Sequence, residues 1–140
     1  MTEFLVNPAL PDTILQNREI LPAKPAPVTL VGERVRLQPL DLTRDVPLLF
    51  ARSNGEPATL GTKSVPAYDA ELFIWRYMSG GPFPNADALA AWLQRQVDAA
   101  DGSPLAVFDI ATDTPVGVAN LMSNVPAHLS IELGNIWYSP

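Results

Sequence analysis

Few side chains in this 140-residue sequence can move a proton near neutral pH, and two of them sit close together, His128 and Glu132. Glu132 lies in "IELGNIWYSP", residues 131–140, between Ile131 and Leu133. On an inward strand face among apolar neighbours, desolvation raises a carboxyl group's pKa toward the working pH, which suits a general base. The plainer alternatives are a glutamate paired with Arg34 or Arg36, or one facing solvent. His128 is a second candidate for proton transfer, although a lone histidine where a strand begins is commonly a surface residue. The sequence has no cysteine, so thiolate nucleophiles, disulfides and thiolate metal sites are excluded. With one histidine in the chain, a multi-histidine metal centre is impossible and a serine–histidine nucleophile pair is disfavoured.

The formal charge is −6, from 15 acidic and 9 basic residues, and no lysine or arginine follows Arg95. A nucleic-acid surface requires a basic stripe, which this distribution does not provide. No apolar run is long enough to span a bilayer, and "MTEFLVNPALPDT" lacks the basic start and continuous apolar core of a signal peptide. These features predict a soluble cytoplasmic protein with neither membrane nor nucleic acid as a partner. The length suits one hydrophobic core.

The elements that position these residues are punctuated by 15 prolines. Pro8, Pro11, Pro22, Pro25 and Pro27 each fix φ and remove a donor, so residues 1–27 are expected to form an extended N-terminal arm. The domain proper is expected over residues 28–140. In "VTLVGERVRLQPL", Val35 and Leu37 alternate with Arg34, Arg36 and Gln38, as in a strand or hairpin interrupted at Gly32. "LTRDVPLLFARSNG" has the spacing of an amphipathic helix, with Thr43 or Asp45 as N-cap and Gly55 just past its end. "DAELFIWRYM" predicts a short helix stopped by "SGGPFP". "NADALAAWLQRQVDAADG" predicts a longer one, with Asn85 as cap and Leu89, Trp92, Leu93, Val97 and Ala100 on one stripe.

From Pro104 the apolar period changes to two. "PLAVFDIA", "PVGVANLM" and "LSIELGNIWY" read as three strands joined by short turns, hence an antiparallel meander. In the last run Leu129, Ile131 and Leu133 share a face, but continued alternation would place polar Asn135 among them. A β-bulge near Gly134 and Asn135 resets the phase and splays the strand's end.

The order strand, helix, helix, antiparallel meander, with "VGERVRLQPLD", "WRYMSGGPF", "PVGVANLM" and "IELGNIWYSP" in sequence, resembles the first half of a GNAT-superfamily N-acetyltransferase of the RimJ/RimL-like subgroup. The resemblance implies an α+β acyl-CoA N-acyltransferase fold with a mixed, mainly antiparallel sheet, and transfer of an acetyl group from acetyl-CoA to an amine. It implies that the backbone amide of Ile136 meets the thioester carbonyl, that Trp137 and Tyr138 belong to the cofactor side, and that Tyr138 pairs with pantetheine amides. Glu132 matches the position of the base in several members. Trp75, Tyr77 and Phe83 would wall the acceptor side of the cleft, with Asn120 as a polar contact. Gly80 and Gly81 form a turn, because neither a preceding strand nor a phosphate-loop pattern accompanies them.

The resemblance further implies that the sequence stops after the family's fourth strand, before the glycine-rich loop that holds the CoA pyrophosphate. On this reading the chain alone does not work as a transferase, and its open edge at residues 129–138 invites pairing with another chain. A noncatalytic binding or interaction module derived from such a domain is the alternative.

Overall fold

A computed structural model describes residues 8–140. The expected arm is only partly extended, and its first seven residues lie outside the described ones. Helix α1 (Asp12–Asn17) and a 3-10 turn at Arg18–Ile20 interrupt it. The reason is local: no proline occurs between Pro11 and Pro22, and Pro11 holds φ at −55° immediately ahead of the first turn, where no N–H is needed. The Pro11 carbonyl accepts from the backbone N–H groups of Ile14 and Leu15 at 2.9 and 3.3 Å. Leu21–Thr29 then runs without helix or strand.

Strands β1 (Leu30–Val31) and β2 (Val35–Pro39) form the hairpin signalled by Gly32, whose N–H donates to the Val35 carbonyl at 2.9 Å. Helix α2 (Leu42–Ser53) follows. Its N-cap is Asp41 rather than Thr43 or Asp45: the Asp41 carboxylate accepts from the Arg44 N–H at 2.9 Å. Asp45 instead turns inward, fully buried, and takes both the guanidinium of Arg44 and the N–H of Asp41. Strands β3 (Ala58–Leu60) and β4 (Lys63–Val65) make a separate hairpin that the sequence pattern did not predict.

The short helix expected at residues 69–78 is a π-helical turn, Glu71–Trp75, closed by the Arg76 N–H to the Glu71 carbonyl at 2.7 Å. Helix α3 (Ala86–Val97) begins as predicted, with the Asn85 side chain accepting from the Ala88 N–H. Strands β5 (Ser103–Asp109), β6 (Thr114–Val125) and β7 (Ser130–Tyr138) form the meander. All pairings of the five-stranded sheet are antiparallel, in the order β1-β2-β5-β6-β7, which leaves β7 at an edge.

Helices α2 and α3 pack on the sheet face that carries Val118 and Trp137. Val46 and Leu49 from α2, Leu89, Trp92 and Leu93 from α3, and Ile74 and Trp75 from the π turn complete that core. Trp75 is its centre, with ring centroids 5.0 Å from Phe83, 6.0 Å from Trp92 and 5.2 Å from Trp137.

The other sheet face is apolar but less covered. Leu133 stands opposite Leu121 and is 57% exposed, and Ile131 is exposed too. Of the predicted face, Ile131 and Leu133 lie together on the side away from α2 and α3, while Leu129 falls before the strand, as the left-handed cap of the turn Pro126–His128. Alternation specifies which residues share a face; it does not specify which face the helices cover.

Candidate functional site

The site grows from a fault in the β6–β7 ladder. Val118 pairs with Trp137 and Asn120 with Gly134, so two steps along β6 span three along β7. The extra residue lies at Asn135–Ile136, where the sequence predicts a bulge, and Asn135 takes φ +48°. Asparagine tolerates that left-handed conformation better than most residues, and its presence there explains the broken alternation. A second irregularity falls at Ser123, φ +51°, near the end of β6.

The bulge turns Asn135 toward α3. Its Nδ2 donates to Gln96 Oε1 at 3.4 Å, and Asn120 Nδ2 donates to the same oxygen at 3.3 Å. Three polar atoms in this neighbourhood are buried without a hydrogen-bond partner among the described residues: Gln96 Nε2, Asn120 Oδ1 and Trp137 Nε1. Asn120 is only 3% exposed. Each such orphan costs about 1–3 kcal/mol relative to a satisfied group, and natural folds keep few of them. A cavity of about 300 Å³ adjoins the amides, lined among others by Trp92, Arg95, Gln96, Asp101, Asn120 and Asn135. Gly134 lies beside it: a Cβ there would come within 2.6 Å of Met122 Sδ and 3.1 Å of Glu132 Oε1.

The arm borders this region. Lys24 Nζ donates to the carbonyls of Val97 and Ala99, both at 2.7 Å. Asn124 Nδ2 donates to the carbonyls of Pro22 and Ala23 at 3.3 and 2.7 Å. Ala99 is itself a lining residue of the cavity.

Not every predicted residue lies where the sequence reading put it. Glu132 pairs with Met122 and so faces the helix side, beside Gly134, but it is exposed rather than buried among apolar neighbours. Nor, among the described residues, does it pair with an arginine: Arg36 bonds Asp113 at 2.8 Å. His128 is exposed on a 3-10 turn, Pro126–His128.

The aromatic wall is corrected more strongly. Trp75 is buried in the core and gives its indole N–H to the Ser53 carbonyl at 2.9 Å. Phe83 packs edge-on against Trp75, and Tyr77 is 92% exposed. Trp137 is 3% exposed, whereas Ile136 and Tyr138 are open to solvent. The apolar rings pack because covering so large a surface stabilises the core more than lining a wet cleft.

Gln96 was not singled out from sequence, and Asn135 was singled out only as the place of a bulge, not as a site residue. A signal existed for both. Gln96 falls seven residues after Leu89, at a position of the apolar stripe of α3, and Asn135 breaks the strand alternation.

No protein-family model and no curated protein matches the chain. Among solved structures, a probable acetyltransferase of the GNAT family from Chromobacterium violaceum is 28% identical, with a TM-score of 0.67 over 85% of this chain and 52% of that one. A GCN5-related N-acetyltransferase from Brucella melitensis is 29% identical, with a TM-score of 0.69 over 84% of this chain and 47% of that one. The chain thus has the GNAT acetyltransferase fold and spans about half the length of the structures it matches. Among the described residues, no helix is long and apolar enough to cross a membrane.

Proposed function

We propose that this chain carries the acyl-transfer half-site of a GNAT N-acetyltransferase, RimJ/RimL-like in type, which moves an acetyl group from acetyl-CoA to an amine. The observation that carries the reading is the bulge at Asn135–Ile136 on an edge strand, surrounded by buried polar atoms that lack partners.

An edge strand offers backbone donors and acceptors to an extended ligand, as a further strand would. The residues present suit the thioester arm of acetyl-CoA: Ile136 and Tyr138 lie on the open edge strand, and Trp137 holds a spare indole N–H. Acetyl-CoA supplies the activated acyl group. The Ile136 backbone N–H is assigned the stabilisation of negative charge on the carbonyl oxygen, a task for a preorganised donor. Asn120 and its partners orient the amine on the α3 side. Glu132 takes the amine's proton, directly or through water, from its place beside Gly134. The cysteine-free sequence is compatible with a reducing, cytoplasmic setting, and the open β7 edge supports pairing with a second copy.

The exposure of Glu132 favours a second reading, a binding module that holds such a ligand without turning it over. Titration with S-acetyl-pantetheine, followed on backbone amide resonances, tests the first part. Saturable shifts centred on residues 135–138 support the site; shifts elsewhere, or none, defeat it. Binding without transfer to any amine would favour the second reading.

A further inference from the structure

We infer that the cavity between α3 and the β6–β7 bulge selects a small amine carrying an oxygen function on the carbon chain beside it, such as an amino acid or amino alcohol, in preference to a polyamine or a polypeptide. The inference rests on the acceptor reading of this cleft.

The amide triad is the first ground. Gln96 Oε1 receives both Asn120 and Asn135, which leaves Gln96 Nε2 as a buried donor and Asn120 Oδ1 as a buried acceptor. Turning all three amides over reverses every bond and leaves the same remainder, one donor and one acceptor. A ligand group that completes the triad must therefore offer both. A bare alkylamine in its reactive, neutral form supplies N–H groups to the acceptor, but its one lone pair is the one the reaction uses. An adjacent carboxylate or hydroxyl oxygen satisfies the donor without engaging that lone pair.

Charge and shape supply the rest. Arg95 and Asp101 are the two charged residues of the lining, one of each sign. A polyamine wants several carboxylates, whereas a zwitterion finds one partner for each end. The volume, about 300 Å³, is at the small end for ligand sites. The arm borders the same lining, since Lys24 bonds the carbonyl of Ala99, and so small a space suits a compact ligand better than a peptide chain.

Alanine, alaninol and isopropylamine share one aminoethyl skeleton and differ only in its third substituent, a carboxylate, a hydroxymethyl or a methyl group. Each is titrated at millimolar concentration into the 140-residue protein without acetyl-CoA, and the side-chain amide resonances of Gln96, Asn120 and Asn135 are followed. Saturable shifts with alanine or alaninol, at least tenfold tighter than with isopropylamine, are expected. If alanine alone binds, the ligand is an amino acid; if alaninol matches it, the shared oxygen is what is read. Equal response to isopropylamine, tighter binding of spermidine, or no response to any of them overturns the inference.

Asn120→Leu keeps the size of the side chain and removes one of the two orphans, the Asn120 acceptor. It is expected to abolish the response while leaving the melting temperature unchanged or higher. If Asn120→Leu fails to fold, Gln96→Ala on the half-buried helix face serves instead, and retained binding there counts against the triad. Because acetyl-CoA is absent, the result stands apart from the transfer reading. Selective binding without transfer would fail only that reading, and transfer with no preference among the three amines would fail only this one.

Discussion

Trp75 donates its indole N–H to the Ser53 carbonyl across 22 residues of sequence, at 2.9 Å and out of contact with water. The bond ties the π turn to the end of α2 and fixes the ring that Phe83, Trp92 and Trp137 pack around.

Replacing Trp75 by phenylalanine leaves the Ser53 carbonyl buried and unpaired, beside a smaller ring. A loss of at least about 1–3 kcal/mol is expected. Urea unfolding checks it, and an unchanged midpoint would show that water replaces the indole at no cost.

Gly117→Ala tests the seating of β7. A Cβ at that position would lie 2.2 Å from the Trp137 carbonyl oxygen and 2.7 Å from Tyr138 Cδ1. Backbone cannot give way as a flexible side chain does, so the expected cost is about 1–3 kcal/mol. Hydrogen exchange should localise the damage to the end of β7, where the Ser139 N–H is held by the Val116 carbonyl at 2.8 Å. Uniform loosening of the whole sheet would contradict this.

Burial raises the pKa of the Tyr68 phenol above its usual 10.0, with a smaller opposing effect from a backbone hydrogen bond. The folded state then holds the phenol proton more tightly than the unfolded state. Its contribution to stability is complete below the unfolded value and is lost as pH climbs through the folded one. Stability should fall more steeply with pH above about 10 in the native sequence than in Tyr68→Phe. Parallel curves for the two proteins would remove Tyr68 from the account. The substitution also loses the hydroxyl's bond to the Arg52 carbonyl, so the variant should be less stable throughout.

Lys24→Ala removes both bonds to the end of α3. The pair is exposed, so global stability should change by no more than about 1 kcal/mol. The arm itself should respond more. Faster proteolysis within residues 18–24, with the sheet still protected, is the expected pattern, and an unchanged cleavage rate would mean that Asn124 alone suffices.

The meander, α2, α3 and the bulge were legible because each leaves a periodic mark, and Asn135 announced itself by falling out of phase. Strands β3 and β4 left none: three residues each, with Thr59, Lys63 and Ser64 among them, are too short and polar to alternate. Helix α1 was hidden by the prolines on either side of it. Glu132 was misjudged because its neighbours are apolar in sequence, whereas burial depends on what lies above the strand, and nothing does there among the described residues. For Trp75 and Tyr77, two residues apart on one turn, the sequence offers no means of telling which ring enters the core. The amide triad joins α3, β6 and β7, so only the assembled sheet brings it together.

The arm's latch also orders events in time. The bonds from Asn124 to Pro22 and Ala23 span 102 and 101 residues, and those from Lys24 span 73 and 75. At about 5–20 residues per second of translation, residues 22 and 23 are joined to the chain roughly 5–20 seconds before Asn124 exists to receive them. Until then the arm lacks the Asn124 side chain that holds Pro22 and Ala23. The strap can close only after the strands it crosses have been made, so its docking is a late step in maturation of the nascent chain.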